Sequence, residues 1–266
     1  KKSALIYHDS DEGTICRIEK TSGSGITPRN AEQAFAIHSL LNEKIPLVSI
    51  NGVAGTGKTL LAVASAISQR RNYKQIFVAR PIVPLGNKDI GYLPGDIDEK
   101  TAPYMMSLYY NMEQIVGKQR LDVLRSSGVV TVIPLAYMRG LTLTNSIVVL
   151  DEAQNATPSQ IKTFLTRIGN GSKFIVNGDL MQSDIRKENG LEDSIKRFTG
   201  LKRVGFSQFD LSDVVRHPIV GELLARYKDD YELGALSAEE TLSMWIKKQH
   251  YDEPNVTNKY FYKIRN

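Results

Sequence analysis

Two short stretches of this chain carry residue types whose spacing suits phosphate chemistry. The first is Gly52-Val53-Ala54-Gly55-Thr56-Gly57-Lys58-Thr59. It follows the apolar run Pro46-Leu47-Val48-Ser49-Ile50 and precedes Leu60-Leu61-Ala62-Val63-Ala64-Ser65-Ala66-Ile67, which reads as a helix. A strand, a loop of the form Gly-x4-Gly-Lys-Thr and a helix make a P-loop. The glycines let the loop curl so that successive N–H groups point at phosphate oxygens. The start of the following helix adds partial positive charge. Lys58 is expected to reach the β- and γ-phosphates of ATP, and the Thr59 hydroxyl to ligate Mg²⁺. Gly52, Ala54, Gly55, Thr56, Gly57, Lys58, Thr59 and Leu60 form the expected ATP-binding loop.

The second stretch is Asp151-Glu152-Ala153-Gln154, directly behind the apolar run Ser146-Ile147-Val148-Val149-Leu150. In isolation an Asp-Glu pair is a solvated helix start. Behind such a strand, and downstream of a P-loop, it is the second half of a hydrolytic site. Asp151 is expected to hold Mg²⁺ with Thr59, directly or through water, and Glu152 to polarise the attacking water. That glutamate separates an ATP hydrolase from a nucleotide kinase, which needs no base for water. Gln154 joins the nucleotide-binding set. A third strand end, Asn177-Gly178-Asp179, leaves two readings of Asp179 open: a polar group that senses the γ-phosphate, or a helix N-cap.

The elements that must position these groups follow from the apolar patterning. Strands are expected at 46–50, 75–79, 129–133, 146–150, 173–177 and near 203–206, with helices at 104–116, 119–125, 158–165 and 191–198 between them. Near-continuously apolar strands alternating with helices predict an α/β fold, a mostly parallel sheet sandwiched by helices. Ligands then bind beyond the carboxyl ends of the strands. That rule gathers Arg80, Arg139, Asp151, Glu152 and Asp179 around the P-loop. Ile82 to Pro103, rich in proline and glycine, is expected as one long loop, either functional or a plain surface connection. Arg80, Pro81, Lys88 and Arg139 are the candidates for contact with nucleic acid.

Upstream, Asn30 is placed to cap a helix with apolar positions at Ala34, Ile37, Leu40 and Leu41. Residues 1 to about 28 read as a small hairpin or extended arm with a flexible connector. Beyond residue 210 a helical region is expected, with Ser237-Ala238-Glu239-Glu240 as a capping box. The tail from Asp252 shows no pattern and reads as disordered or as a partner arm. The chain divides into an arm or small β extension (1–25), a core (26–230) and a C-terminal helix and tail (231–266).

Composition sets bounds on function. The net charge of +5 and the isoelectric point near 9.1 are compatible with a nucleic-acid partner, although the basic residues are dispersed. Cys16 is the only cysteine, which excludes an intrachain disulfide and points to a reducing cytoplasm. His8, His38, His217 and His250 lack metal-ligand spacing. No apolar run approaches the length of a membrane span, and no signal peptide is evident. The chain opens at Lys1-Lys2 without an initiator Met, so an upstream segment is expected to have been removed.

Several blocks together resemble the PhoH family of bacterial and phage ATPases. They are Gly-Val-Ala-Gly-Thr-Gly-Lys-Thr, Arg-Pro-Ile-Val-Pro (80–84), Ile-Gly-Tyr-Leu-Pro-Gly-Asp (90–96), Leu-Ala-Tyr-Met-Arg-Gly (135–140), Leu-Asp-Glu-Ala-Gln-Asn (150–155), Leu-Thr-Arg-Ile-Gly (165–169), Asn-Gly-Asp and Asp-Val-Val-Arg-His (213–217). The entry at residues 25–30 is similar to the PhoH half of proteins that carry a PIN ribonuclease domain in front. The P-loop neighbourhood is also similar to the first core of superfamily-1 helicases. The resemblance implies a single RecA-like P-loop NTPase core that hydrolyses ATP with Mg²⁺ and acts on RNA or single-stranded DNA. Gln33 matches the glutamine that reads adenine in those helicases.

The helicases carry a second core and this chain does not, so an arginine from a neighbouring copy is expected to complete the site, supplied by Arg167 or Arg216. A homo-oligomeric ring acting as a helicase or translocase follows from that expectation, and the resemblance to ring-forming RecA-like ATPases implies a hexamer. The alternative is an ATP-switched nucleic-acid-binding scaffold for a nuclease partner without unwinding activity; the resemblance implies a PIN-type ribonuclease domain or protein as that partner.

Overall fold

The computed structural model describes residues 3–9, 13–18, 25–82, 97–180, 182–183, 189–198, 201, 203–215, 219 and 260–265. Six strands form the central sheet: β3 (Leu47–Gly52), β4 (Gln75–Arg80), β5 (Val130–Pro134), β6 (Ser146–Leu150), β7 (Lys173–Gly178) and β8 (Val204–Phe209). Their spatial order is β5-β4-β6-β7-β3-β8, and every neighbouring pair is parallel. The expected α/β sheet is therefore present, and all its carboxyl ends lie along one edge.

The helices are α1 (Ala31–Leu41), α2 (Lys58–Ser68), α3 (Ile97–Val116), α4 (Lys118–Ser126), α5 (Pro158–Leu165) and α6 (Gly190–Phe198). Alternate residues of each strand feed two cores, as the two-residue side-chain period requires. Val48, Ile50, Ile76, Val78, Ile147, Val149 and Ile175 pack with α1 to α4. Leu47, Phe77, Ala79, Val148, Leu150, Phe174 and Val176 pack on the other face with α5 and α6. Phe164 of α5 and Phe174 of β7 meet there with ring centroids 4.9 Å apart.

Local signals account for the helix ends. Asn30 caps α1, its side chain accepting from the Gln33 N–H at 2.8 Å. Thr157 and Gln160 make a reciprocal capping box at the start of α5, with Pro158 in its first turn. The long loop expected over 82–103 is shorter than its composition suggested. Helix α3 begins at Ile97 and carries Pro103 within it, so proline content overstated the irregular stretch. The remainder of that loop, with Lys88, lies outside the described residues, as do Arg216 and the capping box at 237–240.

The N-terminal hairpin is also present, as β1 (Ser3–Asp9) and β2 (Thr14–Arg17). The C-terminal tail departs from expectation: β9 (Tyr260–Arg265) pairs antiparallel with β1, from Ser3 opposite Arg265 to His8 opposite Tyr260. The two ends of the chain thus share one three-stranded sheet, ordered β2-β1-β9. Tyr7 joins it to the core, buried and tilted against the His38 ring of α1 at 4.8 Å. No helix among the described residues is long and apolar enough to cross a membrane.

Candidate nucleotide site

The order of the strands explains how the site is assembled. The P-loop follows β3 and the Asp-Glu pair follows β6, and these strands are separated by β7. The end of β7 therefore stands between the two halves and can reach both.

The loop itself is shaped by backbone conformation. Gly55 and Gly57 are left-handed, with φ of 86° and 87°, and Gly57 opens α2. Such turns aim successive N–H groups inward. Gly52 is required for a different reason: a Cβ there would stand 2.4 Å from the Phe209 carbonyl oxygen at the end of β8. Thr56, fully buried, braces the loop through Oγ1 to the Val53 carbonyl at 2.9 Å. Lys58 lies across the loop and donates to the carbonyls of Gly52 (2.7 Å) and Val53 (3.0 Å). Ala54 and Leu60, at the loop's middle and the first turn of α2, are half-buried.

Thr59 and Asp151 meet as expected. Thr59 Oγ1 is 2.6 Å from Asp151 Oδ1, and Asp151 is 1% exposed. Asn177, at the end of β7, donates to Asp151 Oδ1 at 2.7 Å and to Thr59 Oγ1 at 3.2 Å. Asn177 was not singled out from the sequence as a site residue. Its signal was a polar residue closing the apolar run Phe174-Ile175-Val176. The pair suits Mg²⁺, which takes hard oxygen donors: a hydroxyl and a carboxylate oxygen lie side by side, with a neutral amide steadying both.

Glu152 has left-handed backbone, φ 54°, which for a residue with a side chain is strain of the kind found at functional positions. Its side chain is 41% exposed, open to an approaching water. Gln154 donates to Glu152 Oε2 at 2.6 Å, while its own Oε1 accepts from the Asp179 N–H at 3.0 Å. Gln154 thus ties the expected base to the end of β7. Most of the segment after Asp179 that a helix cap there would open lies outside the described residues; α6 is capped by Asn189, which accepts from the Glu192 N–H at 2.7 Å.

Arg80 was expected on a nucleic-acid path and is found in the site. It ends β4, next to β6, and its guanidinium pairs with Asp151 Oδ2 and lies 3.9 Å from Glu152 Oε1. Pro81, expected beside it on that path, is buried. Arg139 is exposed after the 3-10 turn Leu135–Met138, beyond the edge strand β5. Arg167 accepts at its carbonyl from the Leu143 N–H, at the amino-end edge of the sheet. It is remote from its own P-loop.

Gln33 is buried against the loop. It donates to the Thr56 carbonyl at 3.0 Å, and its Oε1 accepts from the Arg29 N–H at 2.8 Å. A strap after β8 completes this side. Asn30 donates to Asp213 at 2.8 Å, Arg29 to the Val215 carbonyl at 3.0 Å, and the Val215 N–H to the Gly55 carbonyl at 3.1 Å. Burial pushes the Asp213 carboxyl up to about 6; the Asp210 N–H opposes this and Glu32 adds to it. Nothing local in the sequence signals the strap, because its partners are far apart in the chain.

A family model described as PhoH-like protein matches residues 25–228. The chain belongs to the PhoH family. A PhoH-like protein of Bacillus subtilis (strain 168) is 43% identical over 232 residues, covering 85% of this chain and 71% of that protein. Protein PhoH of Escherichia coli (strain K12) is 38% identical, covering 85% of this chain and 64% of that protein. Protein PhoH2 of Bacillus subtilis is 44% identical, covering 66% and 42%. The chain thus spans between 42% and 71% of the length of these relatives. Among solved structures, the Pif1 helicase of Candida albicans is similar at 15% identity with a TM-score of 0.35, over 68% of this chain and 40% of that one. The Hef helicase domain of Pyrococcus furiosus is similar at 13% with a TM-score of 0.37, over 65% and 38%. These two likenesses are too remote to carry an argument. PhoH membership and the site's geometry make the chain a P-loop NTPase.

Proposed function

We propose that this PhoH-family chain hydrolyses ATP and that RNA or single-stranded DNA stimulates the reaction. The observation that carries the hydrolytic part is the Thr59–Asp151 contact of 2.6 Å, with Glu152 on the next residue. It brings the phosphate-binding loop against Asp151, whose neighbour Glu152 is the proposed general base. The loop N–H groups and Lys58 bind and orient the phosphates. Thr59 and Asp151 would hold Mg²⁺, which would supply positive charge to offset that of the phosphates. Glu152 takes the proton of the attacking water at a carboxylate oxygen, while Gln154 keeps that carboxylate in place.

The nucleic-acid part is supported by the net charge of +5 and by the exposed Arg139 at the carboxyl-end edge of the sheet. The transition state calls for an arginine that the P-loop does not supply. A neighbouring copy in a closed ring is the proposed source. Arg167 can serve only a neighbour, given its edge of the sheet. Arg216 follows Val215, which is bonded to the P-loop.

The test is the rate of phosphate release with and without poly-RNA or single-stranded DNA, at fixed ionic strength because such binding is salt-dependent. A several-fold stimulation supports the coupled hydrolase. An unstimulated rate with nucleotide-dependent nucleic-acid binding would favour the scaffold instead.

A further inference from the structure

The side chain of Arg80 spans the proposed catalytic carboxylates and the helix beside them. One guanidinium nitrogen, Nη2, pairs with Asp151 Oδ2 and faces Glu152. The other, Nη1, donates to Ser107 Oγ at 2.5 Å and more weakly to the Tyr104 carbonyl at 3.4 Å, both on α3. Its side chain is 16% exposed, and its Nε is buried with no hydrogen-bond partner among the described residues. A planar fork of this kind fixes direction as well as charge, which a lysine would not.

Asp151 is fully engaged in this arrangement: Thr59 and Asn177 take Oδ1 and Arg80 takes Oδ2. A cation bound at Asp151 neutralises the charge that holds Arg80. The guanidinium's grip on Ser107 does not depend on that charge. We infer that Arg80 is a positioning residue that reports occupancy of the nucleotide site to α3. With the site filled, the pairing to Asp151 weakens and Arg80 shifts together with the part of α3 that it holds. Helix α3 is suited to carry the change. It packs against α2, the helix that opens at the P-loop, through buried Met105, Leu108 and Met112. Its Met106, Ser107 and Tyr110 are exposed, so its movement alters a surface as well as a core. This inference rests on the proposed hydrolase only for its use: through α3, nucleotide occupancy would set affinity for nucleic acid.

The experiment is hydrogen exchange of α3 amides with and without Mg²⁺ and a non-hydrolysable ATP analogue, in the wild type, Ser107→Ala and Arg80→Lys. Ser107 lies outside the nucleotide site on an exposed helix position, so Ser107→Ala should fold and bind the analogue as the wild type does. Exchange over residues 104–112 should change at least several-fold on analogue binding in the wild type, and that change should be mostly lost in Ser107→Ala. Arg80→Lys, which keeps a charge beside Asp151 without the fork, should lose it as well. Equal responses in all three proteins, or no response in the wild type, would overturn the inference. A parallel titration of single-stranded RNA separates the two ideas. An α3 response present in the wild type and lost in the two variants, with no RNA binding by the wild type, would leave the coupling standing and remove its proposed use.

Discussion

Asp151 gathers hydroxyl, amide and guanidinium donors around one buried carboxylate, and each comes from a different element. The Asn177 amide is the neutral member, and it touches both Asp151 and Thr59. Partners of this kind orient metal ligands, and their loss typically weakens metal affinity by about 10–100-fold. Asn177→Ala is therefore expected to raise the Mg²⁺ concentration needed for nucleotide binding by roughly that factor. Titrating a fluorescent nucleotide at graded Mg²⁺ would check it; an unchanged Mg²⁺ requirement would reduce Asn177 to a packing residue. Lys58, Thr59, Asp151 and Glu152 were legible because a strand, a tight loop and charged residues occur in fixed order along the chain. Asn177 was less so, since its meaning depends on β7 lying between β3 and β6. Arg80 was placed at a strand end correctly, but its direction depended on which strand lies beside β4.

At the scale of elements, Lys173 begins β7 and is buried at the amino-end edge of the sheet. Its ammonium donates to the carbonyls of Asn42 (2.7 Å) and Ser39 (3.2 Å), at the end of α1. Burial lowers its pKa from 10.5 to about 7, with Glu43 acting in the opposite sense. Between those values the unfolded chain holds a proton that the folded chain has released. Folding stability should therefore rise as pH climbs from about 7 toward 10.5, by at most about 1.4 kcal/mol per pH unit. The contribution is complete above the unfolded value and lost as pH falls through about 7. Urea denaturation at several pH values from 7.5 to 9.5, on the wild type and Lys173→Met, would check it. The slope should be present in the first and absent in the second. The cap of α1 was readable from Asn30, because capping is a local interaction; Thr157, which caps α5, was not singled out although its signal is just as local. The start of α3 and the pairing of β9 with β1 were not, since one lies in a proline-rich stretch and the other joins opposite ends of the chain.

For the whole molecule, the proposed ring makes each active site depend on two copies of the chain. Lys58→Ala removes the cation facing the phosphates, and Arg216→Ala removes a candidate donor to a neighbour. Each variant alone should be inactive, and mixing them in one assembly should restore part of the ATPase rate. Some interfaces would then pair an intact P-loop with an intact arginine. Full activity in a species that sediments as a monomer would contradict the ring. Beneath that question lies the hydrolytic site itself, and Glu152→Gln tests it most directly. Gln keeps the size of the side chain and can still meet Gln154, but it cannot take a proton from water. Nucleotide binding and single-turnover hydrolysis should be measured on the same preparation. The expected result is ATP affinity within a few-fold of the wild type and a hydrolysis rate lower by about 10²–10⁴-fold. Hydrolysis at the wild-type rate would contradict the assignment of Glu152 as the base.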